Sequence, residues 1–464
     1  EPNAVSYTGS RITCTGNGST TEITVAKGAT TYTVSGLTGG VEYTFAVYAI
    51  FSSGYESAGA TFKVTPANKT LSFMYAPEQL SDVRNGGLGN YCVLMADVDL
   101  SGYSSGTGWN PIGTSGSAFT GIFDGNGHTI SNLTINDSTT DYRGLFGYTS
   151  GSEIKNVTLT NVSVNGNLYV GALAGFSGSG KISNCSVAGT LSGVDRYVGG
   201  MVGYKTGGTV EYCHSSVTVS SNSISTGGLI GHCDGVTITY CHATGSVSGS
   251  SSVGGLVGFA SAGMSVSITN CFATGNVLVD TNKGNEANAG GLIGRISNVT
   301  ITQCYALGNV TVQYPGTNLV YAGGLAGFFQ GGAIQYSFSR GNVDANITNS
   351  GSTNPVFAGG LVGRLFIPAL HCYSTGSVAA STAGTGAINI NGFANTSASN
   401  TACYYNTDTT GRTDTGTGYT YLTTAQMTDS VNYSTIYSGW NFSTIWSISP
   451  SINGGYPYLT GMAP

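Results

Sequence analysis

Short apolar segments separated by glycine and small polar residues repeat along most of the 464-residue chain. One of these segments is a run of the type Gly-Gly-Leu-Val-Gly. It begins at Arg143, Gly171, Gly199, Gly227, Gly254, Gly290, Gly323 and Gly359, with a degenerate ninth copy at Asn391. Successive runs start 28, 28, 28, 27, 36, 33, 36 and 32 residues apart. A constant period with later insertions indicates a repeated structural unit.

Each unit carries two further segments of strand length. One is exemplified by ITNCFATG around Cys271, and the other is the short Gly-Asn-Val seen at Asn276, Asn309 and Asn342. Three short strands in about 28 residues are typical of one coil of a parallel β-helix, whereas a propeller blade needs about four strands and 40 or more residues. We therefore predict an all-β chain that forms a parallel β-helix, or solenoid, of about ten coils.

Stacking of coils about 4.8 Å apart aligns equivalent residues into columns and buries a continuous core. The third residue of the glycine-rich run is uniformly large and apolar, as a core column requires. Its members are Leu145, Leu173, Met201, Leu229, Leu256, Leu292, Leu325 and Leu361.

The repeat also divides the chain. We predict a small partial β-sandwich at 1–67, an N-terminal cap and first coils at 68–142, the repeats at 143–400 and a C-terminal cap at 401–464. Pro77 predicts a short capping helix within 76–85, and Trp440 and Trp446 predict an aromatic lid. Caps are expected because an open solenoid end exposes unpaired strand edges.

Composition and charge exclude several classes of protein. Glycine accounts for 73 residues and charged residues for only 8%, which disfavours long helices. The formal net charge of -6 and the scattered basic residues argue against nucleic-acid binding. The longest apolar run, at 43–51, is about half of the ~20 residues that a membrane-spanning helix needs. The start at Glu1 suggests a mature or trimmed product, so targeting information is missing.

The glycine-rich runs, the lead-in FTGIFDGNGHTI and the closing NGGYPYL resemble the GLUG motif of bacterial surface proteins, over roughly residues 70–464. The resemblance implies an adhesin-like, extracellular or cell-surface protein. The motif also occurs beside the protease domain of immunoglobulin A peptidases, but this chain has no His-Glu-x-x-His zinc signature.

The N-terminal stretch resembles the second half of a fibronectin type III domain, with Leu37 and Tyr43 placed as in a tyrosine corner. It spans about 66 residues where such a domain needs nearer 90, and its first strands are missing. Two explanations stay open at this point. Either the first strands were removed upstream, or another chain supplies them by strand addition.

Seven of the ten cysteines occupy one position of the repeat, which Leu133, Val157 and Ser337 fill elsewhere. They are Cys185, Cys213, Cys241, Cys271, Cys304, Cys372 and Cys403. Interchange with leucine and valine predicts a reduced, buried ladder. Neighbouring coils would bring the Cα atoms within disulfide range, but parallel Cβ vectors would strain the bond. A metal site would need a second repeated ligand, which the sequence lacks.

The position after these cysteines forms an aromatic column: His214, His242, Phe272, Tyr305, Phe338, Tyr373 and Tyr404. If the cysteines point inward, strand alternation points this column outward, unless a bend at Asn184 or Asn270 reverses it. An outward row of rings is a candidate surface for sugar rings or a partner protein. The alternative is a stack that stabilises the solenoid and binds nothing. A metal or acid–base role for His214, His242 and His232 is a weaker hypothesis.

Acidic residues within the repeats fall at different offsets from the glycine-rich runs, so they cannot form the paired carboxylates of a glycan-cleaving enzyme. Asp97, Asp99 and Asp124 form the only close set. Turn and capping roles are expected for them, with calcium binding as the rival.

The sequence therefore predicts a non-catalytic, adhesin-like protein that binds a glycan or a host or neighbour-cell protein without a cofactor. The longer insertions at 280–289, 314–321 and 345–357 are expected to project from consecutive coils. A self-assembling filament subunit is the alternative, and a carbohydrate-active enzyme is the third hypothesis. We expect no nucleic-acid partner and no membrane insertion.

Overall fold

The structure, a computed structural model, describes residues 7–28, 32, 34, 37–38, 41–64, 69–261, 263, 265–281 and 286–462. Its main body is a parallel β-solenoid of about 10 turns, which confirms the predicted fold class. The predicted boundary between residues 67 and 68 lies outside the described residues. Three parallel sheets form the walls of the solenoid.

The first sheet follows the glycine-rich runs. Its strands are Leu71–Met74, Tyr91–Leu94, Ile122–Asp124, Phe146–Thr149, Ser152–Lys155, Ala174–Ser177, Gly180–Ser183, Val202–Thr206, Thr209–Glu211, Ile230–Asp234, Thr237–Thr239, Val257–Ala260, Val266–Thr269, Ile293–Thr302, Ala326–Gln335, Val362–Leu365, Ala369–Leu370 and Ala394–Thr396.

The second sheet follows the cysteine position. Its strands are Val98–Asp99, Thr129–Ser131, Thr134–Asn136, Thr158–Gly166, Ser186–Gly193, His214–Ser215, Thr218–Ser220, His242–Ala243, Val247–Gly249, Phe272–Ala273, Val277–Val279, Tyr305–Ala306, Val310–Tyr314, Phe338–Ser339, Val343–Ile347, Tyr373–Ser374, Val378–Thr382, Cys403–Asn406 and Tyr419–Leu422.

The third sheet leads back to the glycine-rich runs. Its strands are Val170–Gly171, Val198–Gly199, Ser225–Gly227, Ser252–Gly254, Ala287–Gly290, Val320–Gly323, Val356–Gly359 and Ile388–Asn391. The register follows the sequence period, since Gly171 pairs with Gly199 and Gly199 with Gly227. The predicted core column from Leu145 to Leu361 is fully buried.

The glycine-rich run forms a corner where backbone segments approach closely. A Cβ atom on Gly254 would lie 2.0 Å from the carbonyl oxygen of Val257, and one on Gly227 would lie 2.0 Å from that of Ile230. At these two positions only glycine avoids this overlap, and the leucine between the glycines points into the core. The recurrence of the run is therefore a packing requirement of the corner between the third and first sheets.

The corner between the first and second sheets lies at the residue before each ladder cysteine. Asn184 has φ 51° and Asn270 has φ 53°, in the left-handed region that asparagine tolerates better than most residues. The cysteine that follows is buried, and the next side chain points outward. The bend is present, but it does not reverse the alternation.

A short α-helix, Pro77–Asp82, and the 3-10 helix Val83–Asn85 lie at the N-terminal end of the solenoid. Leu80 and Val83 join the core and thereby close the first coil. A further 3-10 helix spans Ser101–Tyr103.

The N-terminal sheet is antiparallel and contains Tyr7–Gly16, Ser19–Ala26, Tyr43–Phe51 and Ala60–Val64, with the second strand at one edge and the fourth at the other. The backbone N–H of Thr38 donates to the Tyr43 hydroxyl at 3.1 Å, in the manner of a tyrosine corner. The fibronectin type III-like assignment itself stays a prediction.

The apolar face of this sheet packs on the outside of the solenoid. The Phe62 ring lies 5.1 Å from that of Phe45 and 5.2 Å from that of Phe73, which belongs to the first solenoid sheet. Tyr91 and Val93 belong to the same buried cluster. The solenoid of the same chain therefore covers this face of the sheet.

The C-terminal part differs from the predicted end cap. Cys403–Asn406 and Tyr419–Leu422 pair in parallel, so the solenoid continues past residue 400, with a short helix at Thr407–Thr410 between them. Residues 423–462, which we call the C-terminal cover, contain the helices Thr424–Met427, Tyr433–Ile436 and Asn453–Gly455. They also contain a hairpin of Trp446–Ser447 with Tyr458–Leu459. The cover packs on the side of the solenoid.

In the described part of the chain, no helix has the length and hydropathy needed to cross a membrane.

Candidate functional site

The predicted aromatic column forms a continuous stack on the outside of the second sheet. Neighbouring ring centroids lie 4.6–5.1 Å apart from His214 to Tyr373, and the rings are inclined to one another by 1–11°. Tyr404 continues the strand register, but its ring contacts Tyr437 and Trp440 of the C-terminal cover. The column points outward, which is one of the two orientations that the sequence left open.

The C-terminal cover buries the centre of this column. Tyr305, Phe338 and Tyr373 are at most 1% exposed and share a cluster with Trp446. The Tyr373 hydroxyl donates to the carbonyl of Pro457 at 2.5 Å. The prediction of these three residues as ligand contacts is corrected: in this structure they are core residues, because a segment of the same chain occupies their surface.

Of the remaining rings, His242 and Phe272 are also unsuited to stacking on sugars, whereas His214 ends the stack and has a ring on one face only. Each internal ring has both faces covered by its neighbours, so mainly its edge is open. A sugar packs on the face of a ring. Burial, reinforced by His214, lowers the pKa of His242, so its neutral form is favoured. The geometry therefore supports the structural role of this column.

The cysteine ladder is interior, as predicted. All ten cysteines are free and buried. The backbone N–H of Cys213 donates to the Cys241 sulfur at 3.4 Å, and the same contact joins Cys241 to Cys271. Burial raises the pKa of the Cys271 thiol well above its usual value.

Asp97, Asp99 and Asp124 are separate hydrogen-bond acceptors. Asp97 accepts from the backbone N–H of Thr129, and Asp99 from that of Ser101. Asp124 accepts from the side chain of Asn156 in the next coil and from the backbone of Asn126. Across the described ranges, no three His, Cys, Asp or Glu side chains are grouped to hold a metal ion. The contacts of the three aspartates are turn and inter-coil contacts of the kind expected for them, and calcium binding stays the rival prediction.

One lysine lies inside the solenoid. Lys205 is fully buried, and its ammonium donates to the carbonyls of Gly178 at 2.5 Å and Gly207 at 2.8 Å. Burial lowers its pKa to about 8. Its role is to satisfy carbonyl oxygens at a turn.

The predicted insertions stack on one another where the structure describes them. Ser352 Oγ donates to the carbonyl oxygen of Thr317 at 3.0 Å, and the backbone N–H of Ala287 donates to the carbonyl oxygen of Leu319 at 3.0 Å. They therefore continue the solenoid wall. Residues 282–285 of the first insertion lie outside the described residues.

Sequence reasoning missed a second set of aromatic side chains, which flanks the glycine-rich corner. The residue after each run points outward from the first sheet: Tyr148, Phe176, Tyr204, His232, Phe259, Arg295, Phe328 and Arg364. A parallel column lies on the other side of the corner: Tyr142, Tyr169, Tyr197, Ser225, Ser252, Asn288, Tyr321 and Phe357.

Side chains from the two columns meet across the corner. The rings of Tyr197 and Tyr204 lie 5.1 Å apart, and those of Tyr321 and Phe328 lie 5.0 Å apart. Outward side chains on the two sides of a convex corner diverge, so this contact shows that the corner is concave. We call the channel formed by these two columns the lateral groove.

Ring orientations in the lateral groove vary from coil to coil. Phe176 and Tyr204 meet at 87°, and Tyr321 and Phe328 at 63°, whereas Tyr148 stacks on Phe176 at 15°. Most of these side chains are half-buried. The groove is therefore lined by partly accessible rings that alternate between stacked and edge-to-face contacts.

His232 is the most buried ring in its column, at 6% exposure. It packs between Tyr204 and Phe259, and its Nε2 lies 3.2 Å from the Ser261 hydroxyl. Burial lowers the pKa of His232 to about 4, so the ring is neutral at physiological pH. It acts as a further aromatic residue of the groove.

The lateral groove changes character along its length. Tyrosines dominate from Tyr142 to Tyr204, while Arg295 and Arg364 alternate with phenylalanines farther along. Burial raises the pKa of Tyr321, and both arginines oppose that rise, because their charges lie near its hydroxyl. The residue after each glycine-rich run is an aromatic residue or an arginine in every copy from Tyr148 to Arg364, and this regularity could have revealed the groove.

Residues 249–278 match the GLUG motif. The chain is 40% identical over 114 residues to halomucin of Haloquadratum walsbyi, covering 23% of this chain and 1% of halomucin. It is 34% identical over 137 residues to a Gly-rich membrane protein of Evansella cellulosilytica, covering 28% of this chain and 16% of that relative. The chain thus matches only a small part of these relatives.

Among solved structures, a chain of Bacteroides ovatus named as an immunoglobulin A1 protease is similar at a TM-score of 0.45 and 22% identity. The match covers 57% of this chain and 84% of that one.

Proposed function

We propose that the protein is a non-catalytic cell-surface protein that binds glycan strands in its lateral groove. The observation that carries the proposal is the series of half-buried aromatic rings over successive coils, whose orientations differ from coil to coil. Aromatic faces are the side-chain surfaces that pack on the apolar faces of sugars. The coils repeat about every 4.8 Å, so the groove offers a regular series of contacts to an extended polymer.

Location at a cell surface is supported by the names of the relatives, one a mucin and one a membrane protein. A binding role is supported over hydrolysis by the acidic residues. Glycosidases use two carboxyl groups on either side of the scissile bond, and the groove's Glu286 is instead paired with Arg295 at 2.6 Å.

A filament that assembles by strand addition at the N-terminal sheet has less support. Such assembly would insert a strand beside an open apolar face. In the described residues, that face already packs on Phe73 and Tyr91 of the solenoid.

Binding is tested by titrating the intact chain with cello-, xylo-, manno- and galacturono-oligosaccharides in a calorimeter. The double variant Phe176→Ala with Tyr204→Ala removes two groove rings, and we expect at least a tenfold loss of affinity for whichever oligosaccharide binds, equivalent to about 1.4 kcal/mol.

The matched control is Tyr212→Ala with Tyr240→Ala. These two rings are exposed, stack at 5.0 Å and lie outside the lateral groove. Affinity should be unchanged in the control. Absence of binding to every oligosaccharide, or an equal loss in both double variants, would refute the proposal. Binding of a surface protein instead of a glycan would point to the protein-partner alternative.

A further inference from the structure

The two arginines of the lateral groove are both held against aromatic rings. The Arg295 guanidinium lies 5.7 Å from the ring centre of Phe259 and 5.2 Å from that of Phe328. The Arg364 guanidinium lies 5.0 Å from Phe357 and 5.1 Å from Phe366. These contacts are within the range of cation–π attraction, which fixes the position of each charge in the groove.

The charge of Arg295 is compensated and that of Arg364 is not. Glu286 accepts a hydrogen bond from Arg295 at 2.6 Å. Among the described residues, no carboxylate pairs with Arg364 and no oxygen accepts a hydrogen bond from it. Arg364 is half-buried, yet its nitrogen atoms are not among the buried polar atoms that lack partners. Its donors are therefore accessible to a ligand from the groove.

The same segment contains buried polar atoms that lack a hydrogen-bond partner. Both side-chain atoms of Asn288 and the Nε atom of Arg295 are in this state among the described residues. Asn288 belongs to the groove column, one coil from Tyr321. Unsatisfied buried groups are rare in folded proteins and often mark sites that a bound molecule or water completes.

A partly exposed aromatic ring accompanies the free charge. Phe366 is 49% exposed, and its ring lies 5.5 Å from that of Phe328. A sugar that packs on Phe366 would bring a substituent of its ring close to the Arg364 guanidinium. Guanidinium groups bind carboxylates through two parallel hydrogen bonds, which gives this pair its geometric specificity.

We propose that this segment of the groove, formed by Arg295, Tyr321, Phe328, Phe357, Arg364 and Phe366, binds a uronic acid residue of an acidic glycan. The inference rests on the proposed function and adds the chemical class of the sugar. The sugar packs on Phe366, and its carboxylate accepts hydrogen bonds from Arg364. Arg295, already paired with Glu286, stabilises Phe328 and does not contact the carboxylate.

The test compares oligogalacturonate with its fully methyl-esterified form, which has the same sugar backbone and no charge. We expect the intact chain to bind oligogalacturonate more tightly, with an affinity that falls as salt rises. Arg364→Gln should weaken oligogalacturonate binding at least tenfold and leave the methyl ester unaffected. Lys63→Gln is the control for net charge, because Lys63 is exposed on the N-terminal sheet and should not matter.

Three outcomes would overturn the inference. They are equal binding of the acid and its ester, an unchanged affinity in Arg364→Gln, or binding of dextran sulfate without binding of oligogalacturonate. In each case the proposed function stands if the Phe176 and Tyr204 double variant still loses affinity for a neutral oligosaccharide. A thermal melt that matches the wild type shows that Arg364→Gln is folded.

Discussion

The hydroxyl of Tyr373, in the wall of the solenoid, donates a hydrogen bond to the carbonyl oxygen of Pro457, 84 residues farther along the chain. Asn453 reinforces the contact, because its side-chain amide donates to the Tyr373 hydroxyl oxygen and to the Pro457 carbonyl oxygen, both at 2.8 Å. This buried triad joins the C-terminal cover to the aromatic column. It explains why the column's central rings are core residues.

Loss of that hydroxyl should loosen the C-terminal cover. In Tyr373→Phe, two hydrogen bonds of a buried group disappear, at a cost of about 1–2 kcal/mol. We expect amide hydrogen exchange in residues 423–462 to accelerate roughly 5- to 30-fold. Tyr421→Phe is the control, since Tyr421 is 40% exposed. Unchanged protection in Tyr373→Phe would show that the triad does not hold the cover.

The first glycine of the run should tolerate no side chain at Gly254. In Gly254→Ala the new Cβ atom would lie 2.0 Å from the Val257 carbonyl oxygen, so the backbone must move. We expect a loss of about 3 kcal/mol in the free energy of unfolding, measured by urea denaturation. Gly102→Ala places its Cβ atom where no atom lies within 4 Å and should cost little. Equal midpoints for the two variants would contradict this account of the corner.

The cysteines should be unreactive until the chain unfolds. All ten are free and buried, and burial raises the pKa of thiols such as Cys271. Iodoacetamide should add no mass to the native protein and ten adducts to the protein unfolded without reductant. Ser220→Cys, at an exposed position, should add one adduct in the native state. Fewer than ten adducts after unfolding would reveal a disulfide.

His232 should make the protein sensitive to acid. Its pKa is about 4 in the folded protein, against 6.5 for the free side chain, because the charged form is disfavoured by burial. Between these values the unfolded chain binds the proton and the folded chain does not, so stability falls as pH decreases through this window. The total decrease in the free energy of unfolding across this window approaches about 3 kcal/mol.

His232→Phe removes this titration. The new side chain is the one that the next coil carries at the equivalent position, Phe259. We expect the variant to lose less stability than the wild type between pH 6.5 and about pH 4, measured by urea denaturation at each pH. All other titrating groups are shared by the two proteins. Parallel losses of stability would show that His232 is not the group responsible.

The interior of this protein was predictable position by position. The column that contains Leu145 and Leu361 and the ladder that contains Cys241 and Cys271 lie where the repeat puts them. The direction of the aromatic column was left open by the sequence, because a bend at Asn184 or Asn270 could have reversed the alternation. The candidate site was less predictable, because accessibility depends on what else packs on a surface. Phe338 and His242 share a repeat position, yet Phe338 is fully buried and His242 is only partly buried.

The sequence by itself determined the period, the solenoid and its interior, because coils that stack in register turn each repeated position into a column in space. Only the tertiary structure decided which outward columns are accessible. The path of the C-terminal cover depends on contacts such as Tyr373 with Pro457, which have no local signature in the chain. The lateral groove likewise depends on a concave corner, which brings Tyr197 and Tyr204 of different sheets together.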